Sequence, residues 1–343
     1  MLDLRRDFLE QTGNVENLVG LEIGALASPV LGAKANETNI NVFYLDHLST
    51  PDLKDKYQND ESVNIDEIVA VDFVCPDGDI VKSVEGKKFD YVIASHVIEH
   101  APNFLKFLSD IFDVLKPGGF AFFVIPDKRF TFDLNRPLTS FGDVLEHYLS
   151  CKVKPGIGAV YDQFSAAIKL DAGRVWTGPV DLSNCSRLTS SLYAWEAANN
   201  VKNNGDYIDV HVNIFTPYSF FEILKSAIEH DIVAFEVKNF QDTLPGQLEF
   251  MVALTKPVDP NLSLAKLKCL ESIPELQLEN LLSPYMPQVK SLSQAIEQLT
   301  KVTSKQQDEL EELKLAVIHE RGELERLQLI LATAQQTLDR RSV

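Results

Sequence analysis

The sequence contains few cysteines and none of the spacings that usually join them. Cys75, Cys151, Cys185 and Cys269 are scattered along 343 residues, and no two of them form a CxxC pair. This pattern argues against a disulfide framework and against a structural zinc site. We therefore predict no metal ion and a reducing, cytoplasmic compartment.

Long apolar runs are missing as well. Residues 1–14 mix acidic and basic side chains and lack the apolar core and small-residue cleavage site of a signal peptide. No run elsewhere in the sequence is long enough to cross a bilayer. We expect a protein that does not span a membrane.

Basic residues are too few to balance the acidic ones. The chain has 32 Lys and Arg against 50 Asp and Glu, a formal net charge of −18, and the acidic excess lies almost entirely before residue 286. A surface of this charge repels phosphate backbones, so we predict that nucleic acid is not a partner.

Regular hydrophobic patterning fills the first half of the chain. Short β-rich runs alternate with amphipathic stretches, which is typical of βαβ units and a parallel sheet. A helix is predicted over residues 103–115, where Pro and Gly end it. The predicted strands are residues 18–23, 41–45, 68–73, 89–94 and 120–125. These elements predict an α/β, Rossmann-like, doubly wound core.

The second half begins with residues 127–207, which are rich in Gly, Pro, Asn and aromatic residues and too long for a simple connection. We predict that they form an inserted lid. Regular pattern then returns over residues 209–215, followed by a helix with Thr216 as its N-cap. The remaining predicted elements are this helix at 217–229 and β-rich runs at 232–237 and 248–255. An antiparallel pair would complete a mostly parallel, seven-stranded sheet and a domain over residues 1–257.

The C-terminal part is predicted to be a linker over residues 258–287 followed by a coiled coil over residues 288–341. The a and d positions of this heptad repeat are mostly apolar. The protein is therefore expected to be a homo-oligomer, with a trimer favoured over a dimer because apolar g residues widen the seam. The alternative is a helix folded back on the globular body.

Acidic residues mark the ends of the first three predicted strands, at the sheet edge where α/β folds bind ligands. They are Glu22, which precedes Gly24, then Asp46 and Asp72. Together with the runs FDYVIASHVIEH at 89–100 and LKPGG at 115–119, this set resembles the class I S-adenosylmethionine (SAM)-dependent methyltransferases. The resemblance covers about residues 18–255.

The resemblance implies SAM as the cofactor. In that family the acidic-x-Gly turn contacts the methionine part of SAM, the acid after strand two binds the ribose, and the segment after strand four lies next to the sulfonium. The family usually has further glycines where this chain has Leu26 and Ser28, which reduces the close approach that glycine permits. The cofactor-binding residues that it implies are Glu22, Gly24, Ala25, Asp46, His47, Asp72, Phe73 and Ser95.

Methyl transfer requires a positioned acceptor, which a base can deprotonate. His96, directly after strand four, is the first candidate for the base, and its alternative role is packing beside the cofactor. His100 is the second candidate, with helix capping as its alternative. Asp127 could bind a substrate hydroxyl or merely pair with Arg129. His211 faces either the cleft or the sheet, and the sequence leaves this open.

The resemblance also suggests an acceptor. Similar bacterial proteins with the ASHVIEH and PDKR runs commonly accompany surface-polysaccharide assembly, which implies O-methylation of a glycan, a nucleotide sugar or a similar polar acceptor. The coiled coil is similar to that of chain-terminating methyltransferases of O-antigen synthesis, which implies a membrane-associated protein partner. The competing interpretation is a non-catalytic, methyltransferase-like scaffold, but carboxylates at the strand ends favour the enzyme.

Overall fold

The computed structural model describes residues 4–32, 39–177, 180–258 and 262–276, with short helical stretches between 299 and 326. The chain divides into two compact units, Met1–Pro284 and Tyr285–Val343. The first unit contains the sheet and the candidate site. The predicted coiled coil belongs to the second unit and lies almost entirely outside the described residues.

A seven-stranded sheet in the order β3-β2-β1-β4-β5-β7-β6 forms the centre of the first unit. β7 is antiparallel to both of its neighbours, and the other paired strands are parallel. The strands are β1 Val19–Ile23, β2 Asn41–Asp46, β3 Phe73–Val74, β4 Phe89–Ser95, β5 Leu115–Pro126, β6 Glu236–Gln241 and β7 Glu249–Thr255. The predicted Rossmann-like α/β fold is confirmed.

Helices cover the sheet and fill the connections. They are α1 Leu4–Thr12, α2 Thr50–Tyr57, α3 Ile80–Ser83, α4 Phe104–Val114, α5 Phe141–Leu149, α6 Ile157–Ala166, α7 Ala172–Thr177, α8 Ser191–Asn204, α9 Pro217–Glu229 and α10 Leu262–Glu271. α9 begins where the sequence predicts, because Thr216 and Ser219 form a capping box and Pro217 takes the first helical position. No described helix is long and apolar enough to cross a membrane.

The sheet separates two hydrophobic cores. Along β5, Phe123 and Ile125 face a large core shared with α4 and α9, whereas Phe122 and Val124 face a smaller core on the other side. This alternation follows from the two-residue period of a β-strand. Phe8 of α1 stacks on Phe122 with ring centroids 5.3 Å apart and closes the smaller core.

The third strand differs from the prediction. Residues 68–72 lie outside any strand, and β3 contains only Phe73–Val74. The apolar run bonds elsewhere, because Val69 N donates to Leu26 O and Val71 N donates to the Thr50 hydroxyl. Asp72 therefore precedes β3, and the expectation that it closes this strand is wrong.

Two further strand boundaries shift. β5 starts at Leu115, which pairs with Phe89, while Phe120 pairs with Tyr91, so residues 116–119 bulge out of the ladder. β6 starts four residues later than predicted, because residues 232–235 turn the chain away from α9, with Val233 and Phe235 buried in the large core.

The predicted lid contains more helix than its composition suggested. Residues 127–207 include α5 to α8, and α6 and α8 pack around a small core of their own. Val160 and Ala197 provide the helical side of that core, and Val210 and Val212 close it from the returning chain. This part of the chain therefore has its own apolar interior.

The predicted linker is partly folded onto the body. α10 lies within residues 258–287, and its Cys269 is fully buried in the large core. Lys266 fixes the helix by donating to Glu229 O and pairing with Asp231. The segment predicted as a linker over residues 258–287 thus contains a helix at Leu262–Glu271.

Candidate active site

The turn after β1 has left-handed backbone at two positions. Gly24 has φ +67° and donates its N–H to Leu45 O, and Leu26 has φ +46°. A Cβ on Gly24 would lie 2.8 Å from Val97 Cγ2, so only glycine fits there. Leu26 adopts a conformation that costs an L-residue roughly 1–2 kcal/mol. The turn thus keeps the glycine-like backbone although the sequence has leucine.

Glu22 holds this turn from below. The residue is 1% exposed, and its carboxylate accepts hydrogen bonds from Val30 N at 2.6 Å and Leu31 N at 3.3 Å. The carboxylate is thus engaged with the loop that follows the turn. Ala25 closes the turn by accepting from Ser28 N. Contact with a ligand would come from the backbone that Glu22 positions.

Asp46 ends β2 and has one oxygen available. Its Oδ1 accepts from His47 N at 2.7 Å and lies 2.6 Å from His47 Nδ1, whereas Oδ2 makes no hydrogen bond to any described residue. His47 Nε2 in turn lies 3.2 Å from Lys56 Nζ. A fixed carboxylate with a free oxygen at the carboxyl end of β2 fits a ligand diol.

Asp72 and Phe73 are less suited to ligand contact. Asp72 Oδ2 accepts from Tyr44 N at 2.8 Å, which ties the chain before β3 to β2. Phe73 is buried in the large core beneath Phe43. Neither residue has the free polar group that Asp46 offers.

The end of β4 places Ser95 and His96 at the same sheet edge. His96 has φ +55°, donates its N–H to Val124 O, and exposes 46% of its side chain. Its Nδ1 lies 3.6 Å from Glu99 Oε1, which is too far for a hydrogen bond. Burial lowers the pKa of His96, but the negative charge of Glu99 outweighs it, so this pKa lies above its usual value.

Glu99 and His100 lie in a turn before α4, not in the helix, which starts at Phe104 with Asn103 as its N-cap. The expected capping role of His100 is therefore wrong. Glu99 is 1% exposed, and neither carboxylate oxygen has a hydrogen-bond partner among the described residues. His100 Nδ1 lies 2.8 Å from Asp209 Oδ1, so its Nε2 points toward Glu99, 4.0 Å away.

His211 lies on the chain that returns after residues 127–207, and it contacts His100. Its ring meets the His100 ring edge to face, with centroids 4.8 Å apart. His211 Nδ1 lies 2.5 Å from Asp133 Oδ2, and buried Arg136 pairs with the other Asp133 oxygen at 2.7 Å. Burial raises the pKa of Asp133, but His211 and Arg136 outweigh burial and lower it.

Asp127 is occupied. The residue is fully buried, its carboxylate accepts from the Arg129 guanidinium at 2.6–3.0 Å, and the Thr243 hydroxyl donates to it at 2.7 Å. Of the two roles that the sequence left open, pairing with Arg129 is the one that the structure shows. A substrate hydroxyl could not reach Asp127 without displacing these partners.

A cleft of about 700 Å³ opens beside these residues. His96 lines it from the end of β4 and His211 from the chain that returns after the lid, and Thr131 and Lys169 of the lid add further polar groups. Phe130 also contributes to the wall, and its ring stacks on Trp176 at 4.1 Å with an angle of 4° between planes. The cleft therefore combines aromatic walls with hydrogen-bonding side chains.

His96 and His100 are four positions apart in the sequence, and Glu99 was considered only together with His100 at the start of the next helix, whereas Asp133 and Asp209 were not predicted as site residues. Asp209 is 109 positions from His100 and Asp133 is 78 positions from His211, whereas Glu99 directly precedes His100. The only local signal was the EH pair that ends the run at 89–100. That signal could have suggested a paired acid and imidazole.

Comparison with known proteins gives one domain match. Residues 20–167 match the family described as "Methyltransferase domain". No curated protein matches the sequence significantly.

Solved structures with a similar arrangement include a SAM-dependent methyltransferase from Methanosarcina mazei, at 13% identity and a TM-score of 0.39, covering 76% of this chain and 99% of that one. Another is a SAM-dependent methyltransferase from Aquifex aeolicus, at 11% identity and a TM-score of 0.36, covering 74% and 89%. The CurJ carbon methyltransferase shares 12% identity at a TM-score of 0.34, with 73% of this chain matching about half, 51%, of that one.

Proposed function

We propose that the protein, whose Rossmann-like domain matches a methyltransferase family model over residues 20–167, uses SAM to methylate an oxygen of a glycan, nucleotide sugar or similar polar acceptor. The observation that carries the proposal is the cleft beside the end of β4, which places polar and aromatic side chains next to His96. Polar ligands with ring structures are held by this combination of groups.

The residues at the ends of β1 and β2 are suited to SAM, which supplies an activated methyl group. The free Oδ2 of Asp46 would accept the ribose hydroxyls, since its other oxygen is held by His47. The left-handed turn at Gly24 to Leu26 would present backbone to the methionine part. Glu22 supports this turn through Val30 and Leu31.

His96 is our proposed base for the acceptor. It follows β4 directly, lines the cleft and exposes nearly half of its side chain. Its backbone is held by Val124 O, so the ring has a defined position at the sheet edge. A base must lie within hydrogen-bonding reach of the proton that it removes, and among the three predicted catalytic residues only His96 lines the cleft.

The test is a methyl-transfer assay with labelled SAM and a panel of nucleotide sugars and oligosaccharides. We expect labelled product with the wild type and a fall in turnover for His96→Ala that exceeds its change in S-adenosylhomocysteine (SAH) affinity. His230→Ala is the matched control, because this exposed histidine lies at the end of α9. No labelled product from any member of the panel, with a protein that is folded and binds SAH, would contradict the proposed acceptor.

The second candidate is a non-catalytic scaffold, and the Leu26 and Ser28 departures are the observation that favours it. The left-handed backbone at Leu26 weakens that argument, since the turn keeps the shape that glycine gives. SAH binding by the purified protein separates the candidates. A folded protein that does not bind SAH would support the scaffold.

We also propose that residues 288–341 assemble the protein into a homo-oligomer, with a membrane-associated protein as its partner. The described part of this segment is helical, and Leu299, Leu310 and Leu313 at predicted a and d positions expose 65%, 53% and 63% of their surface. Covering such leucines is what drives helices to supercoil.

Light scattering tests this assembly. The full-length protein should be a trimer or dimer, and the protein truncated after Pro287 should be a folded monomer that still binds SAH. Equal monomeric masses for both proteins would contradict the oligomer.

A further inference from the structure

We propose that Glu99, His100 and His211 bind a divalent transition-metal ion, for which Zn²⁺ is the probe. Each residue offers one ligand atom, and the three atoms lie within 4.8 Å of one another. Two imidazoles and one carboxylate are a ligand set that zinc and related ions use with further coordination positions left open. The spacing of the cysteines predicts no metal, but it carries no information about a site built from histidine and glutamate.

The first support is the state of Glu99. Its side chain is 2% exposed, and neither oxygen has a hydrogen-bond partner within the part of the chain that the structure describes. A carboxylate offers about four acceptor sites, and burying an ionised one without partners costs several kcal/mol. A cation beside Glu99 would remove this cost.

The second support is the orientation of the two imidazoles. His100 Nδ1 is 2.8 Å from Asp209 Oδ1, and His211 Nδ1 is 2.5 Å from Asp133 Oδ2. Each carboxylate fixes one nitrogen and leaves Nε2 for another ligand. This is the carboxylate–histidine arrangement that orients imidazoles at metal sites.

The third support is that the site is assembled before any ligand arrives. Val212 N and Asn213 N both donate to Glu99 O, at 2.7 and 2.9 Å, and the Asn213 amide donates to Ile98 O and Ala101 O. The segment that carries His211 is thus fixed to the turn that carries His100. Bonds of about 2.0–2.1 Å place tetrahedral ligand atoms roughly 3.3 Å apart, so binding an ion would draw these atoms closer than the 4.8 Å within which they now lie.

His211 also lines the cleft. An ion at this site would lie at the cleft wall, where it would polarise an acceptor hydroxyl and favour its deprotonation. This role rests on the proposed function, whereas binding of the ion does not. Protonated histidines are the alternative source of positive charge for Glu99.

The experiment measures Zn²⁺ binding by full-length protein after chelator treatment, using calorimetry and the visible absorption of Co²⁺ as a second readout. We expect the wild type to bind one equivalent of ion, and we expect Zn²⁺ to displace bound Co²⁺. Glu99→Gln and His211→Ala should weaken binding by at least about 100-fold, and Asp133→Asn by about 10-fold to 100-fold. His230→Ala should bind as the wild type does.

Folding of the variants is checked through thermal unfolding. Zn²⁺ should raise the melting temperature of the wild type and not that of Glu99→Gln, whose ion-free form should be at least as stable as the wild type. No binding by the wild type, or equal binding by Glu99→Gln and His211→Ala, overturns the proposal and leaves protonated histidines as the counter-charge. Zinc binding without methyl transfer to any sugar would refute the proposed acceptor and leave the metal site standing.

Discussion

Replacing Asp46 tests the cofactor site most directly. Its Oδ1 is already shared by His47 N and Nδ1, so only Oδ2 is available for a bound ribose. Hydrogen bonds to a charged group contribute about 1.5–3 kcal/mol, and we assign about 2 kcal/mol to this oxygen. Because 1.4 kcal/mol is about tenfold in affinity, Asp46→Ala should weaken SAH binding about 30-fold.

Calorimetric titration with SAH measures this loss. Asp55→Ala is the matched control, because it removes an exposed carboxylate of α2 that accepts from the nearby Gln58 side chain. The control should lose less than roughly 3-fold, since no ribose contact is removed. An Asp46→Ala protein that is folded and binds SAH within about 3-fold of the wild type would show that the ribose lies elsewhere.

Three further predictions concern the same domain. Because His96 has φ +55°, the free energy of unfolding measured in urea should be about 1 kcal/mol larger for His96→Gly than for His96→Ala. Equal values for the two variants would contradict the left-handed backbone at this position. Thr243→Val removes a buried donor to Asp127 and should lower the free energy of unfolding by about 1.5–3 kcal/mol, whereas an unchanged urea midpoint would show that Arg129 alone satisfies the carboxylate. Burial raises the pKa of Cys269 to about 11, so its thiolate forms only as pH approaches that value, and a thiol reagent at pH 8 should modify exposed Cys151 first; equal rates would refute the burial of α10.

Local signals predicted some elements well. The Thr216 cap followed by Pro217 sets the start of α9, because both residues act on the backbone of the same helical turn. The strand after Phe89 is equally clear, since its residues are buried on both faces of a parallel sheet and need no alternation. The cap of α9 depends on neighbouring residues, and β4 is recognisable because most of its residues are apolar and buried.

The region around β3 shows where such reading fails. Residues 68–73 have the composition of a strand, yet Val69 N donates to Leu26 O and Val71 N donates to the Thr50 hydroxyl. Those partners come from the turn after β1 and from the start of α2, which no local pattern reveals. The position assigned to Asp72 failed for the same reason.

For the candidate site, the sequence identified the histidines but not the side chains that bind to them. His100 and His211 are 111 positions apart, and only the folded lid brings the rings together. For Asp127, the sequence suggested the partner Arg129, and the structure shows this pair. The burial of Asp127 and its hydrogen bond from Thr243 have no signal in the sequence. Sequence spacing identifies reactive residue types, and tertiary contacts decide which of them stay free.

The contacts of Glu99 join the two halves of the site. Its backbone oxygen accepts from Val212 and Asn213, which follow His211 on the returning chain, while its carboxylate faces His96 and His100. The turn after β4 and the returning chain that carries His211 are therefore parts of one hydrogen-bonded unit. Because His211 lines the cleft on this fixed chain, an acceptor bound there under the proposed function would lie at a set distance from the end of β4. Such fixed spacing is what an in-line transfer between two bound molecules requires.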